Sequence, residues 1–401
     1  MKVAGIICEY NPIHNGHVWH IEKTRQWLGP NSAIVCLMSG NFVQRGDVAV
    51  FGKHARAEMA VRCGADLVVE LPSPYALSSA EGFARAGVFI LDRLGVCDAI
   101  SFGSESGDIN ALREAAEAIA TAEADVLIRE CLGRGLPYAA ACQKAADAVL
   151  GPRSEVFRSP NNLLGIEYVK AITALGSQLK AVTIRREGGE HDGGTGLSSS
   201  AIRKMLLDCV GQGAAYSMAL GSMPDAAAAI CMEEISAGRG PVFMKNAEAA
   251  MLSRLRAIKD YSGLPDATEG LDKRFARYAA SEPTVAAVLE KTKTKRYAMS
   301  RLRRMLMCAC LGITAEDTRE PPPYIRVLAM NAAGREMLNS ARKKAALPII
   351  TKPASVRRLP GRAVELFKKE AAATDFYALS YPGEAARAGG DEWRMTPVVI
   401  M

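Results

Sequence analysis

The sequence predicts an α/β protein in which a mostly parallel sheet, covered by helices on both faces, is followed by a mainly α-helical C-terminal half. Two observations predict this arrangement of a sheet followed by helices. In the first 200 residues, short apolar runs rich in β-branched residues alternate with stretches of helical periodicity. After about Ser200, Ala, Leu, Arg and Met recur at helical spacing, and convincing strands are rare until the last residues. Because 401 residues exceed the usual reach of one core, we predict two domains, residues 1–210 and 211–401.

The alternation in the first half defines five strands and four of the helices between them. The apolar runs predict strands at residues 2–8, 33–38, 66–71, 97–102 and 179–184. Apolar residues spaced three and four apart predict helices at 18–28, 53–63, 78–94 and 109–119. Parallel strands joined through helices bind ligands beyond their carboxyl ends, so we expect the functional site at that edge of the sheet.

Helical spacing continues through the second half. It predicts helices at residues 200–209, 224–237, 247–257, 273–280, 284–291, 297–311 and 334–345. Gly and Pro residues between 211 and 241 mark the join of the two halves. The segment EPPPY at 320–324 is typical of a rigid extended connector.

Composition excludes several classes of protein. With 49% hydrophobic and 23% charged residues, the chain has enough apolar surface to build cores, which excludes global disorder. No apolar run approaches the roughly 20 residues of a membrane helix, and the start lacks the long apolar region of a signal peptide. We therefore expect a soluble, cytoplasmic protein without a membrane partner. The ten cysteines contain no CxxC, so we expect reduced, buried thiols and no protein-held metal.

The net charge of +7 is distributed unevenly. Residues 1–200 contain 19 Lys and Arg against 22 Asp and Glu, a balance of −3, whereas residues 201–401 contain 31 against 21, a balance of +10. This excess in one half favours a polyanionic partner, although a solvated basic surface is the alternative.

The most informative stretch is EYNPIHNGHVWH at residues 9–20. An apolar strand ends just before it, and the HxGH pattern of His14, Gly16 and His17 leads into an amphipathic helix. Glycine permits a nucleotide to approach the backbone, and two imidazoles can donate hydrogen bonds to phosphate oxygens as charge develops. The helix N-terminus also favours an anion. A chance pair of histidines or a metal site are the alternatives, which the strand–turn–helix setting disfavours. His20 alone is more typical of packing.

A second candidate lies in LSSSAIR at residues 197–203, after IRREGGEHD at 184–192. Serines at a helix start, with Arg203 in the first turns, predict a phosphate clamp of backbone N–H groups, hydroxyls and one guanidinium. A serine N-cap followed by a surface arginine is the alternative.

Three further segments follow predicted strands or start a helix: MSGNFVQRGD at 38–47, FGSE at 102–105 and SPNNLLG at 159–165. Polar residues at a strand's carboxyl end are typical of substrate recognition, although an ordinary polar loop is the alternative. Gly103 could pass its backbone beside an adenosine. The asparagines of SPNNLLG could cap the helix or reach the nucleotide.

The second half contains KTKTKRYAMSRLRR at 291–304, with seven basic residues in fourteen. Helical spacing places Arg296, Ser300, Arg303 and Arg304 near one face, with Met and Leu residues facing inward. The density of charge favours contact with an RNA backbone, which supplies affinity and not sequence choice. A solvated helix face is the alternative.

HxGH after a first strand, together with SSSAIR at a later helix start, resembles the nucleotidylyl transferase superfamily, which implies a Rossmann-like N-terminal domain that grips the phosphates of a nucleoside triphosphate. More narrowly, six segments in this order resemble the bacterial tRNA(Met) cytidine acetate ligase family: GIICEYNPIHNGH, SGNFVQRGD, KHARAEMAVRCGADLVVELP, FGSE, SPNNLLGIEY and KRYAMSRLRR.

This resemblance implies an enzyme that activates acetate with ATP as acetyl-adenylate, releasing pyrophosphate. The enzyme would then transfer the acetyl group to N4 of the wobble cytidine, position 34, of elongator tRNA(Met), giving N4-acetylcytidine. The resemblance also implies Mg²⁺ held mainly by the phosphates. It identifies no protein partner.

The sequence and the resemblance together assign residues to three roles. The chemistry of phosphate stabilisation assigns catalysis to His14, His17 and Arg203, and the density of basic charge assigns tRNA binding to Lys295, Arg296, Arg303 and Arg304. The residues implied to bind ATP are Ile7, Cys8, Glu9, Tyr10, Asn11, Pro12, Ile13, His14, Asn15, Gly16, His17, His20, Gly103, Asn162 (preferred over Asn161), Arg186 (preferred over Arg185) and Ser199.

Other functions share some of these features. A small-molecule nucleotidylyl transferase uses HxGH chemistry but leaves the basic second half without a role. A non-catalytic RNA-binding protein with a vestigial nucleotide fold would not need His14, His17 and Arg203 together. A class I aminoacyl-tRNA synthetase has an HxGH-like motif, but no KMSKS-like loop is present in the sequence.

Overall fold

A computed structural model describes residues 1–186, 197–210 and 216–401. Within them, an eight-stranded sheet has the order β10-β8-β5-β2-β1-β6-β7, with β9 paired to β8, and β3 pairs with β4 in a separate hairpin. The strands are β1 Lys2–Cys8, β2 Ser32–Ser39, β3 Phe42–Val43, β4 Asp47–Val48, β5 Leu67–Leu71, β6 Ala99–Ser104, β7 Lys180–Arg185, β8 Ile325–Met330, β9 Ile349–Ile350 and β10 Val398–Val399.

Helices cover both faces of the sheet and form most of the remainder of the described chain. They are α1 Asn15–Leu28, α2 Lys53–Arg62, α3 Ser73–Ala76, α4 Ala80–Arg93, α5 Ile109–Ala118, α6 Ala122–Gly133, α7 Tyr138–Leu150, α8 Pro160–Ala174, α9 Ser199–Asp208, α10 Tyr216–Leu220, α11 Asp225–Ser236, α12 Glu248–Ala257, α13 Leu271–Ser281, α14 Val285–Thr292, α15 Met299–Leu311, α16 Ala332–Lys344, α17 Gly361–Ala378 and α18 Asp391–Arg394. No helix among the described residues is long and apolar enough to cross a membrane.

The predicted α/β class is confirmed, and all five predicted strands form the parallel part of the sheet, β5-β2-β1-β6-β7. The chain first adds β2 and β5 on one side of β1. It then returns and adds β6 and β7 on the other side of β1. The strand order therefore reverses at β1 and β6. In open α/β sheets, the crevice at the carboxyl ends of the strands beside such a reversal is the usual ligand site.

Three apolar clusters hold the layers together. Successive residues of β2 point to opposite faces of the sheet, so Val35 and Leu37 belong to a cluster with residues of α4, α5, α7, α8 and α16, whereas Ile34 and Cys36 belong to a cluster with residues of α1, α2, α9 and α11. Both faces are buried, which explains why the parallel strands are apolar along their length. A third cluster joins helices α12 to α15 and α17 and also includes Phe42 and Val48 of the β3–β4 hairpin.

The structure corrects the expectation that strands are rare in the second half. Strand β8 (IRVLAM) joins the sheet antiparallel to β5, with Leu67 opposite Met330 and Glu70 opposite Arg326, and β9 and β10 pair parallel to β8. This short strand is buried along its length, and such a segment shows no alternation that distinguishes it from a buried helix. The predicted boundary at residues 210 and 211 therefore does not separate the sheet from the helical part, because later strands complete the sheet. Helices α3, α6, α7, α10, α17 and α18 were not predicted.

A buried ionic cluster attaches these C-terminal strands and helices to the first half. Lys53 Nζ lies 2.6 Å from Glu70 and 2.5 Å from Glu392, and Arg326 approaches Glu392 at 3.6 Å. Burial alone would lower the pKa of Lys53, but the carboxylates of Glu392 and Glu70 outweigh it and raise that pKa. Burial would raise the pKa of Glu392, but Lys53 and Arg326 hold it at about 2. Lys53 and Glu392 are therefore charged at neutral pH.

Replacing Lys53 by Met is expected to lower the free energy of unfolding by about 3–5 kcal/mol, because buried Glu70 loses its cation and buried Glu392 keeps only Arg326. Urea denaturation followed by circular dichroism measures this change. The control is Arg129→Met, which breaks the exposed ion pair with Asp125 and should change the free energy by less than about 0.5 kcal/mol. Equal effects of the two substitutions would contradict a stabilising role for the cluster.

Candidate active site

Two histidine side chains cap the N-terminus of α1. The Gly16 N–H donates to His14 Nδ1 at 3.1 Å, and the His14 N–H donates to His17 Nδ1 at 3.3 Å, which together form a reciprocal capping box. A neutral imidazole carries its proton on one nitrogen, so an accepting Nδ1 leaves the proton on Nε2. Both rings therefore offer an Nε2–H donor at the carboxyl end of β1.

The two rings lie together, with centroids 3.9 Å apart, and Tyr10 packs its ring 5.0 Å from that of His17. Burial, reinforced by the charge of Arg186, lowers the pKa of His14 to about 4. Burial and then the neighbouring His14 lower the pKa of His17 well below its ordinary value. Both imidazoles are neutral at pH 7 and act as hydrogen-bond donors without a fixed charge.

His20, one turn further along α1, faces β6. Its Nε2 lies 3.1 Å from Ser101 Oγ, and Thr24 Oγ1 lies 2.6 Å from the same hydroxyl. Burial and the charge of Arg186 lower the pKa of His20 to about 4. This geometry joins α1 to β6, the two elements on either side of the crevice.

The serine-rich helix start meets the HxGH turn. Ser199 Oγ donates to Pro12 O at 3.0 Å, and Arg203 Nη1 donates to Asn11 O at 2.5 Å, across about 190 residues of sequence. Arg203 Nη2 also donates to Ser200 Oγ at 3.1 Å. The structure thus brings together the two segments that carry the predicted catalytic residues. Residues 187–192 of IRREGGEHD lie outside the described residues.

Arg186 lies across the crevice from the HxGH turn. Arg186 is exposed, and its charge helps to lower the pKa values of His14, His17 and His20. A Cβ atom at Gly103 would lie 3.1 Å from Arg186 Cγ, so the glycine leaves room for this side chain. The predicted ATP residues at the ends of β6 and β7 therefore face those at the end of β1.

The asparagines of SPNNLLG form hydrogen bonds within the protein. Asn162 is buried, and its Oδ1 accepts from the Ser106 N–H at 3.0 Å. The Glu105 carboxylate accepts from Asn161 Nδ2 at 2.7 Å and from the Asn162 N–H at 3.0 Å. Glu105, and neither asparagine, therefore caps α8.

Arg56, which the sequence did not indicate, joins the loops beneath the site. Its buried guanidinium donates to Glu9 O at 2.5 Å, to Ser39 O at 3.0 Å, to Phe51 O at 2.9 Å and to Gly40 O. A basic residue in a predicted helix is usually exposed, and its spacing in the sequence does not distinguish this one.

The segment 291–304 differs from the prediction in two respects. Helix α15 begins at Met299, so Arg296 lies before the helix and does not share its face. Three of the four predicted tRNA-binding residues are ion-paired: Arg296 with Glu269 at 3.3 Å, Arg303 with Asp47 at 3.5 Å and Arg304 with Asp266 at 2.8 Å. Arg304 is also buried. Lys295 is exposed.

Acid is expected to destabilise the protein through these histidines. The folded-state pKa of His14 and of His20 is about 4 against an ordinary 6.5, so the unfolded chain binds more protons in this window. The free energy of unfolding should therefore fall as pH falls from 6.5 toward 4. Denaturation at pH 7, 6 and 5 measures this loss, and His20→Gln should lose less between pH 7 and 5 than the wild type. Parallel losses would contradict the burial of His20 as the cause.

Comparison with known proteins identifies relatives along the whole chain. Residues 1–392 match the sequence profile of the HIGH Nucleotidyl Transferase family. The chain is 35% identical to the tRNA(Met) cytidine acetate ligase of Acetivibrio thermocellus over the full length of both chains. It is 37% identical to the enzyme of that name from Caldanaerobacter subterraneus, covering 95% of this chain and 96% of the relative.

Solved structures agree with the sequence relatives. Thermotoga maritima TmcAL bound with alpha-thio ATP superposes with a TM-score of 0.91 at 34% sequence identity, covering 100% of both chains. The apo form of the same protein matches equally well. The HxGH turn, the serine-rich helix start and these full-length relatives show that the chain belongs to the tRNA(Met) cytidine acetate ligase family, within the HIGH nucleotidyl transferases.

Proposed function

We propose that the protein is an ATP-dependent acetate ligase that forms acetyl-adenylate and transfers the acetyl group to N4 of the wobble cytidine, position 34, of elongator tRNA(Met). The observation that carries this proposal is the contact of Arg203 and Ser199 with the Asn11–Pro12 turn beside His14 and His17, in a chain of this family. We also propose that the protein works in the cytoplasm, where its tRNA substrate is found.

The first half-reaction needs stabilisation of negative charge. A carboxylate oxygen of acetate attacks the α-phosphorus of ATP, the bond to the bridging oxygen breaks, and pyrophosphate leaves. The Nε2–H groups of His14 and His17 donate to phosphate oxygens, and Arg203 adds a positive charge. Because Arg203 is held by Asn11 O and Ser200 Oγ, its guanidinium is oriented before the substrate binds.

The proposal includes a divalent cation that is bound to the phosphates of ATP. Among the described residues, no three His, Cys, Asp or Glu side chains cluster as metal ligands. We therefore propose that Mg²⁺ is held mainly by phosphate oxygens, a mode this hard cation often adopts with nucleotides.

The second half-reaction requires a bound tRNA. The +10 balance of residues 201–401 supports contact with its phosphates. Within the segment 291–304, Lys295 and Arg296 are exposed and lie before the start of α15, so they are the members that we propose to touch the RNA backbone directly. Arg303 and Arg304 are engaged by Asp47 and Asp266, so we propose that they contribute less to this contact than Lys295 and Arg296 do.

The test of this function is exchange of pyrophosphate into ATP. We expect exchange to require acetate, and added elongator tRNA(Met) to yield N4-acetylcytidine and AMP. Exchange that is independent of any small carboxylate, or that requires a phosphorylated metabolite instead, would contradict the proposal.

His17→Ala is expected to lower acetate-dependent exchange by about 10²-fold or more, because one donor to the developing charge is lost. Gln26→Ala, on the exposed side of the same helix, is the matched control and should retain the wild-type rate. Circular dichroism establishes that both variants fold. A folded His17→Ala variant with unchanged exchange would contradict the role of the HxGH histidines.

Replacing both Lys295 and Arg296 by Ala should weaken tRNA binding and leave exchange unchanged. Each lost phosphate contact flattens the plot of log K against log[salt] by about 0.7–0.9, so two contacts predict a change of about 1.4–1.8. Filter binding over a salt series measures the slope. Lys144→Ala, an exposed lysine of α7, is the control for the loss of a charge alone. A slope equal to that of the wild type would show that these residues face solvent.

A further inference from the structure

The β3–β4 hairpin and α15 meet at a contact that leaves no room for a side chain. Gly46 has a φ of +73°, and a Cβ atom on it would lie 2.3 Å from the backbone carbon of Arg303. The hairpin also attaches to the first strand, because the Gln44 N–H donates to Glu9 Oε1 at 2.6 Å. This small hairpin therefore connects the end of β1 to the segment 291–304.

Asp47, at the base of this hairpin, keeps the capacity to accept a hydrogen bond. Its Oδ1 accepts from the Val48 N–H at 2.9 Å. Its Oδ2 lies 3.5 Å from Arg303 Nη1, which is longer than a well-formed hydrogen bond. A third of the Asp47 side chain, 33%, is exposed. A ligand group can thus reach Oδ2 without breaking a short hydrogen bond.

Arg303 keeps a matching capacity to donate. Its side chain is 42% exposed, and its ion pair with Asp47 is 3.5 Å long. The neighbouring Arg304, by contrast, uses both Nε and Nη2 to bind Asp266, at 3.2 and 2.8 Å. A partly exposed carboxylate on Asp47 and a partly exposed guanidinium on Arg303 therefore lie side by side.

The same carboxylate is near the phosphate-binding side of the crevice. Burial raises the pKa of Asp47, while the charges of Arg303 and then Arg203 lower it. Arg203 donates to Asn11 O in the HxGH turn. Asp47 is thus close enough to Arg203 for their charges to interact, and it contacts Arg303 of the segment proposed to hold the tRNA.

We propose, building on the acetyl-transfer function above, that Asp47 and Arg303 bind the Watson–Crick edge of the target cytosine, and that Asp47 accepts the proton of its N4 amine. Cytosine presents an N4–H donor beside acceptors at N3 and O2, which complements a carboxylate beside a guanidinium. Uracil presents an acceptor in place of N4–H, and this acceptor would repel the carboxylate. The pair therefore also discriminates between the two pyrimidines.

The transfer step balances with these groups alone. The N4 lone pair attacks the carbonyl carbon of acetyl-adenylate and a C–N bond forms. The bond from that carbon to the phosphate oxygen breaks, and AMP leaves with its electron pair. The N4 proton passes to Asp47 Oδ2 and from there to water.

Glu9 is the other carboxylate beside Arg203. Its Oε1 already accepts from Gln44, and its charged neighbours are Arg56, Arg203 and Arg45, all outside the segment 291–304. Of these two carboxylates beside Arg203, Asp47 is the one that contacts this segment, so the assignment falls on Asp47.

The test measures the two half-reactions separately in the Asp47→Asn variant. We expect exchange of pyrophosphate with acetate within about threefold of the wild type, tRNA affinity within a few-fold, and single-turnover acetyl transfer lowered by about 10²-fold or more, as for loss of a general base. Asp47→Glu restores a carboxylate and should recover at least a tenth of the wild-type transfer rate. Asp266→Asn, which removes the partner of the neighbouring arginine, is the matched control and should keep normal transfer.

Base recognition is tested separately with Arg303→Gln and with two tRNA transcripts, one with cytidine and one with uridine at position 34. The wild type should bind the cytidine transcript more tightly, and Arg303→Gln should reduce that preference at least fivefold. Wild-type transfer by a folded Asp47→Asn, or equal loss of exchange and transfer, would overturn the assignment of Asp47. An unchanged preference in Arg303→Gln would overturn base recognition. Failure of the wild type itself to exchange pyrophosphate with acetate would instead contradict the proposed function.

Discussion

The candidate site depends on a single buried guanidinium. Arg56 donates to the backbone carbonyls of Glu9, Ser39, Gly40 and Phe51, and these carbonyls come from the ends of β1 and β2 and from the start of α2. A carbonyl at the end of a strand has no ladder partner, and burying it without one costs free energy. Hydrogen bonds from a charged donor contribute about 1.5–3 kcal/mol each. One side chain therefore holds the loops in the positions that the HxGH turn and the β3–β4 hairpin require.

The second half of the chain also stabilises these loops. A Cβ atom on Gly40 would lie 2.6 Å from Glu70 Oε1, and Glu70 pairs with Lys53 within the buried ionic cluster. That cluster includes Arg326 of β8 and Glu392 of α18. A buried cation without its carboxylates is strongly unfavourable, so the loop after β2 and the C-terminal elements are stabilised together. The sheet and the helical part thus form one connected structure around the crevice.

In the crevice, arginines carry positive charge and the histidines do not. Burial keeps the histidines of the HxGH turn neutral, so the fixed positive charges beside this turn include the guanidinium groups of Arg186 and Arg203. Much of the basic excess in the segment 291–304 is balanced by carboxylates of other segments, as Arg304 is by Asp266. Such pairs stiffen a surface and orient the side chains that remain free. Positive charge counted along a sequence is therefore an upper bound on the charge available to a partner.

The sequence by itself determined the parallel strands, most helices and the two signature segments, because apolar period, helix start residues and the HxGH spacing are local properties of the chain. It did not reveal Arg56, the strand β8, the capping of α8 by Glu105 or the pairing of Asp47 with Arg303. Each of these joins residues that are far apart in sequence, or depends on which way a side chain points within an element. Long-range pairing is decided by the packing of the whole chain, since burial and an available partner set the free energy of a polar group.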